Sequence, residues 1–162
     1  FGRIGRNVLR ALIEQDRQDM EVVAINDLSS TENLAHLLKY DSVHGRFPGK
    51  ISFTENSLNL GNGDIEVTAI RTPEDQNWAD NKVDIVLECT GIFTARDAAA
   101  KHIAAGAKRV LISAPGKDAD NTIVYGVNDG TLTAEDIIVS NGSCTTNALA
   151  PIAKVLHETL GI

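Results

Sequence analysis

The chain has 162 residues, 43% apolar and 23% charged, a composition that supports one ordinary folded domain and excludes a disordered or low-complexity protein. A formal charge of −7 without any basic run argues against a broad nucleic-acid surface, and no apolar stretch reaches the roughly 20 residues of a membrane span. The two cysteines, Cys89 and Cys144, lack C-x-x-C spacing, which predicts reduced thiols rather than a disulfide framework or zinc ribbon, and a cytoplasmic protein is expected.

In chain order, "RNVLRALIEQ" predicts a helix whose inner face carries Ile4, Val8, Leu12 and Ile13, and "EVVAIND" reads as a short buried parallel strand. "SSTENLAHLLKY" predicts a second helix, with Ser29 and Glu32 as a capping box. "KISFTE" and "SLNLGNGDIEVTAIR" then alternate apolar and polar residues around Asn62-Gly63, the pair that favours a type I′ hairpin turn. Thr72-Pro73 opens a short helix, and "KVDIVLECTG" is again a buried strand, with Cys89 expected to pack inside it. An alanine-rich helix stopping at Gly106 follows, and "KRVLIS", "TIVYGVN" and "DIIVSN" supply further strands. This alternation predicts one continuous α/β domain built on a doubly wound, mostly parallel sheet with a small antiparallel excursion.

The opening "FGRIG" retains Gly2-x-x-Gly5, so a dinucleotide fingerprint G-x-G-x-x-G requires a preceding glycine, and a preceding first strand, before Phe1. Such a fingerprint calls for an acid at the end of the second strand about 20 residues on. Asp27 stands there, 22 residues after Gly5. Gly2 would let the backbone approach a pyrophosphate, Gly5 would let the helix pack close to the sheet, and Asp27 would accept from the ribose hydroxyls while repelling a 2′-phosphate, favouring NAD over NADP. Asp27 reads equally as a turn residue before "LSS". Thr90-Gly91 and Ser113 follow strands whose carboxyl ends are where open α/β sheets bind ligands, though each also fits an ordinary loop. Arg71 reads as a solvated charge.

"SNGSCTTNALAP" places Cys144 at the apparent start of a helix. A packed thiol and a nucleophile both fit; a metal ligand is poorly supported, because the nearest histidine in sequence, His157, is thirteen positions on. Lowering a thiol's pKa by two pH units needs about 2.7 kcal/mol, whereas a helix terminus contributes roughly 0.3–1 kcal/mol, so a nucleophile here needs a cationic or basic partner. The sequence context places none of His36, His44, His102 and His157 beside it. Ser143, Thr145 and Thr146 suit either a helix cap or an oxyanion or phosphate pocket. Pro151 should kink the helix.

Taken together and in order, "FGRIGRNVLRAL", "AINDL", "HLLKYDSVHGRF", "ECTGIF", "KHIAAGAKRVLISAP" and "SNGSCTTNALAP" closely resemble the amino-terminal part of the glyceraldehyde-3-phosphate dehydrogenase family, over essentially all 162 residues. "SNGSCTTNALAP" is similar to the family's active-site signature. The resemblance implies that residues 1–143 form an NAD-binding Rossmann domain without its first strand and that 144–162 open the catalytic domain. Cys144 would be the nucleophile that captures glyceraldehyde 3-phosphate as a thioester released by inorganic phosphate. By the resemblance Ser143 and Thr145 would bind substrate or phosphate, and Arg3, Ile4, Asp27, Arg71 and Ser113 would contact NAD; Thr146 joins the first set through the hydroxyl pocket, and Gly2, Gly5, Thr90 and Gly91 join the second through the glycine fingerprint and the strand ends. It further implies a cytoplasmic homotetramer, no metal, and a catalytic histidine beyond Ile162, leaving the isolated 162 residues as an inactive nucleotide-binding module. A sister activity on erythrose 4-phosphate is the alternative for the parent enzyme. Gly142 stands where many members have alanine, and Ala148 where many have a second cysteine, which makes a vicinal disulfide impossible.

Overall fold

Helix α1 (Arg3–Glu14) buries Leu9 and Arg10 and packs Ile13 of the expected inner face against the same core, with Val8 and Leu12 half-buried, while Ile4 stays half exposed. Arg10 tolerates burial because its guanidinium donates to the carbonyls of Gly45 and His44 at 3.0 and 3.3 Å and lies over the Phe47 ring. In a computed structural model that describes all residues 1–162, the chain forms two compact units, Phe1–Gln76 and Asn77–Ile162.

In the first unit, β1 (Ala24–Asn26) leads to α2 (Thr31–Lys39), capped by Ser30, whose hydroxyl accepts from Asn33 N–H, and not by Ser29 as the capping-box pattern predicted. A short hairpin of β2 (Tyr40–Asp41) and β3 (Gly45–Arg46) follows, then β4 (Ser52–Phe53), β5 (Ser57–Asn59) and β6 (Asp64–Thr68). The sheet order is β1-β6-β5-β4, with β1 and β6 parallel and the rest antiparallel. The antiparallel excursion is thus three strands wide, and its last strand is the parallel neighbour of β1. Asn59 pairs with Asp64, so the hairpin closes through four residues instead of a two-residue type I′ turn; Gly61 and Gly63 take positive φ, and Asn62 does not. Leu34, Leu38, Phe47 and Leu58 are fully buried between α2 and this sheet, each contributing roughly 1.5–3 kcal/mol.

The second unit begins with buried Trp78 and carries β7 (Ile85–Glu88), α3 (Arg96–Ala104), β8 (Arg109–Ile112), β9 (Asn121–Thr122), β10 (Ile138–Ser140) and α4 (Cys144–Leu160). Its sheet is wholly parallel, in the order β7-β8-β10-β9. Interior strand β10 is buried at all three positions, as a parallel strand covered on both faces should be, while edge strand β7 alternates. The expected strand "TIVYGVN" ends at Thr122, because Asn128 folds back to bond Val124 N–H and the Thr122 carbonyl and turns the chain. Helix α4 runs unbroken through Pro151, which removes one helical donor, and ends on left-handed Gly161. It has no buried residue, and Leu149, Ile152 and Val155 are exposed.

Gly106 ends α3 at φ +108, where an added Cβ would sit 2.5 Å from Ala79 Cβ and 2.6 Å from Ala79 N. Gly106→Ala combines left-handed strain with a backbone clash and should cost about 3 kcal/mol, read as a fall in the denaturant midpoint.

Candidate functional site

The two units place the predicted residues in two groups. In the first, Gly2 precedes α1 in extended conformation without a side-chain cap, so the early N–H groups of the helix face outward. An added Cβ at Gly2 would meet nothing within 4 Å, leaving open space in front of that turn. Asp27 follows β1 and reaches the same turn: its Oδ2 lies 2.7 Å from the Phe1 nitrogen and its Oδ1 accepts from Ser29 N–H at 2.9 Å. Partial burial pushes the Asp27 carboxyl up, and the Ser29 N–H from which it accepts pulls it down. The glycine turn and its acid are therefore brought together. Arg3 is committed elsewhere, to Asp41 at 3.0 Å and Ser42 at 3.1 Å, Gly5 lies within α1, and Ile4 and Arg71 are exposed.

In the second unit, parallel β7, β8 and β10 put Thr90-Gly91, Ser113 and Ser143–Thr146 at one end of one sheet. The ladder continues past the strand ends: Ser113 N–H donates to Glu88 O at 3.0 Å and Asn141 N–H to Ile112 O at 2.9 Å. Cys89 lies just beyond β7, half-buried rather than inside the strand. Burial pushes its thiol up, a hydrogen bond with Ser113 opposes the shift, and the Glu88 carboxylate adds to it.

Cys144 is exposed at the first position of α4. Ser143 caps the helix, its Oγ accepting from Thr146 N–H at 3.0 Å and lying 2.9 Å from Thr145 Oγ1 and 2.7 Å from Thr146 Oγ1. The Cys144 and Thr145 N–H groups, in the first turn, have no intrahelical acceptor and are free for an oxyanion. Gly142 makes the turn into the helix at φ +67. Fully buried Ser140 holds that turn: its Oγ donates to Ala114 O at 2.9 Å and accepts from Gly116 N–H at 2.9 Å and Gly142 N–H at 3.0 Å. Neither histidine of this unit serves the thiol. His157 is about 20 Å along α4 and bonds Ile162 O, and both ring nitrogens of His102 are taken.

Comparison with known proteins gives the decisive observation: residues 1–96 match the model for the glyceraldehyde 3-phosphate dehydrogenase NAD binding domain. The chain belongs to the glyceraldehyde 3-phosphate dehydrogenase family. It is 61% identical over 162 residues to the glyceraldehyde-3-phosphate dehydrogenases of Cereibacter sphaeroides and Xanthobacter flavus, and 54% identical over 162 residues to that of Thermotoga maritima. Each match covers the whole chain, and the chain spans about half the length of these curated relatives, 48%, 48% and 49%. The mixed α/β architecture, with its parallel sheet and smaller antiparallel part, is that of a Rossmann NAD-binding domain. No helix is long and apolar enough to cross a membrane.

Sequence reasoning in this family member passes over two buried polar centres. Ser140 looks like the end of an apolar strand, and Glu88 like an ordinary charge. The signal for Glu88 was present: a carboxylate directly after the apolar run "VDIVL" must find donors. With Cys144 exposed and the Cys89 thiol pushed up, iodoacetamide at pH 7.5 should alkylate Cys144 at least about tenfold faster, with Cys89 catching up only above its ordinary range near pH 8.5, as peptide mass spectrometry would record.

Proposed function

We propose that this chain is the cofactor-binding half of a phosphorylating, NAD-dependent glyceraldehyde-3-phosphate dehydrogenase of glycolysis, with Cys144 as its nucleophile. The observation that carries the reading is an exposed thiol at the start of α4, above the carboxyl ends of a parallel sheet, in a chain of this family. On this reading residues 1–143 are the NAD-binding domain and 144–162 open the catalytic domain. The enzyme is a cytoplasmic homotetramer, as the family resemblance implies.

The residues of the first unit suit a dinucleotide. The uncapped start of α1 and the open space before Gly2 would take the pyrophosphate, Gly5 would keep α1 close to the sheet, and Asp27 would accept from the adenosine ribose. Arg3, Ile4 and Arg71 carry over from the family as further contacts. In the second unit Ser113 carries over likewise, while Thr90 and Gly91 suit a cofactor contact by their place at the carboxyl end of the parallel sheet. When bound, NAD supplies the hydride acceptor of the reaction.

The chain's own chemistry starts at Sγ. The Cys144 thiolate adds to the aldehyde carbon of glyceraldehyde 3-phosphate, and the resulting oxyanion takes a hydrogen bond from the Cys144 N–H. Oxidation leaves a thioester on Sγ, which inorganic phosphate, held by Ser143, Thr145 and Thr146, cleaves to 1,3-bisphosphoglycerate. A sulfur ester suits this relay because it survives until phosphate arrives and then leaves readily. Activation of the thiol falls to a base outside this unit, so the 162 residues alone should bind nucleotide without turnover. The sister activity on erythrose 4-phosphate has no specific observation in its favour.

In the full-length gene product, Cys144→Ser should lower phosphate-dependent NADH formation by roughly 10³-fold or more, whereas Cys89→Ser should leave it within about threefold. Equal loss in both variants would sink the assignment. Asp27→Ala should lower the ratio of kcat/KM for NAD over NADP by about tenfold, because it removes both the ribose acceptor and the charge that opposes a 2′-phosphate.

A further inference from the structure

Glu88 is 3% exposed at the end of β7, with both carboxylate oxygens engaged. Oε2 lies 3.0 Å from His102 Nε2, and Oε1 accepts from Thr90 N–H at 2.7 Å and from the Thr90 hydroxyl. Trp78 fixes the histidine from the far side. Its indole Nε1–H, which only donates, meets His102 Nδ1 at 3.1 Å, so Nδ1 is the acceptor and the ring proton sits on Nε2, pointing at Glu88. Phe93 closes edge-on over the same ring. Thr90 Oγ1 passes the constraint on by accepting from Ile92 N–H at 3.1 Å, across Gly91 at φ +73.

Stability alone gives this centre little reason to exist. A buried carboxylate facing a neutral imidazole contributes no more than an apolar pair of the same shape, and often less. What an apolar residue cannot do is accept two bonds from one residue of the turn. The carboxylate selects one backbone conformation for residues 90–92 and holds it at the carboxyl end of the sheet, next to Ser113.

We propose that Glu88 is a positioning residue for NAD: locked by the Trp78–His102 pair, its carboxylate fixes the Thr90-Gly91 turn in the conformation that receives the cofactor. The inference rests on the reading above that this turn contacts NAD. Glu88 itself touches neither cofactor nor substrate; it acts through Thr90.

An amide cannot replace this carboxylate. Whichever way the side-chain amide of the Glu88→Gln variant turns, its NH2 faces either His102 Nε2–H or the two Thr90 donors, and at least one bond is lost. In the full-length gene product, Glu88→Gln should weaken NAD, in direct titration and in KM, by about tenfold or more, while kcat changes less than about threefold and KM for the aldehyde stays constant. Thr90→Val should weaken NAD as well. The double variant should be no weaker than the worse single one, since both act on the same turn. Should Glu88→Gln fail to fold, Trp78→Phe, which removes only the donor that orients His102, should still weaken NAD about threefold. Glu88→Gln or Trp78→Phe with a lowered melting temperature but NAD affinity within twofold of the parent, while Thr90→Val weakens binding, overturns the inference and leaves the site reading intact. A parent protein that binds no NAD, or an unaffected Thr90→Val, overturns both.

Discussion

Three parallel strands, β7, β8 and β10, end at the same edge of their sheet, and the candidate site of the second unit is built on the backbone groups left over there. A parallel ladder bonds strands in even register, so the residues that follow each strand leave at the same height. Thr90-Gly91, Ser113 and the turn before Cys144 are neighbours for that reason alone, although up to 53 residues separate them in sequence. Ser113 N–H and Asn141 N–H still donate to the last carbonyl of the neighbouring strand, which extends the alignment into the loops.

Loops placed by a sheet are not yet rigid, and two buried polar groups finish the task. Glu88 gathers the donors of the first loop, and Ser140 gathers two amides and a carbonyl from the loops that follow β8 and β10. Both occupy the last position of their strand, where the side chain turns inward and the next residues turn outward. Each is fully partnered, which is the condition under which a buried polar group costs the fold little. The first unit reaches the same end differently. There the acid itself, Asp27, lies against the glycine turn, with one oxygen beside the Phe1 nitrogen and the other accepting from Ser29 N–H.

Alternation of apolar runs with amphipathic helices made the strands and helices readable, because period and length are local properties. Asp27 was readable for the same reason, as a spacing. Other features depend on which polar partner a side chain finds. The strand expected at "TIVYGVN" gives way to a turn because Asn128 bonds back to Val124 and Thr122, a local geometry that the apolar letters conceal. The burial of Arg10 in α1 is hidden in the sequence because Arg10 reads as polar and yet finds two carbonyls 34 and 35 residues on. The role of Glu88 depends on Trp78 and His102, whose tautomer is set by an indole that no spacing rule links to it. As for Cys144, its place at a helix start leaves a nucleophile and a packed thiol both open and resemblance selects the first; the fold adds exposure and two free N–H groups.

Ser140 ties the amides of Gly116 and Gly142 to one side chain with no exposed surface. Neither amide lies in a helix or strand, so by position each belongs with the fast-exchanging loop protons. Exchange requires the hydroxyl to let go, and one movement of that hydroxyl frees both. The loop after β8 and the loop that delivers the thiol are therefore parts of a single opening event, and their deuterium uptake would follow one shared rate rather than two.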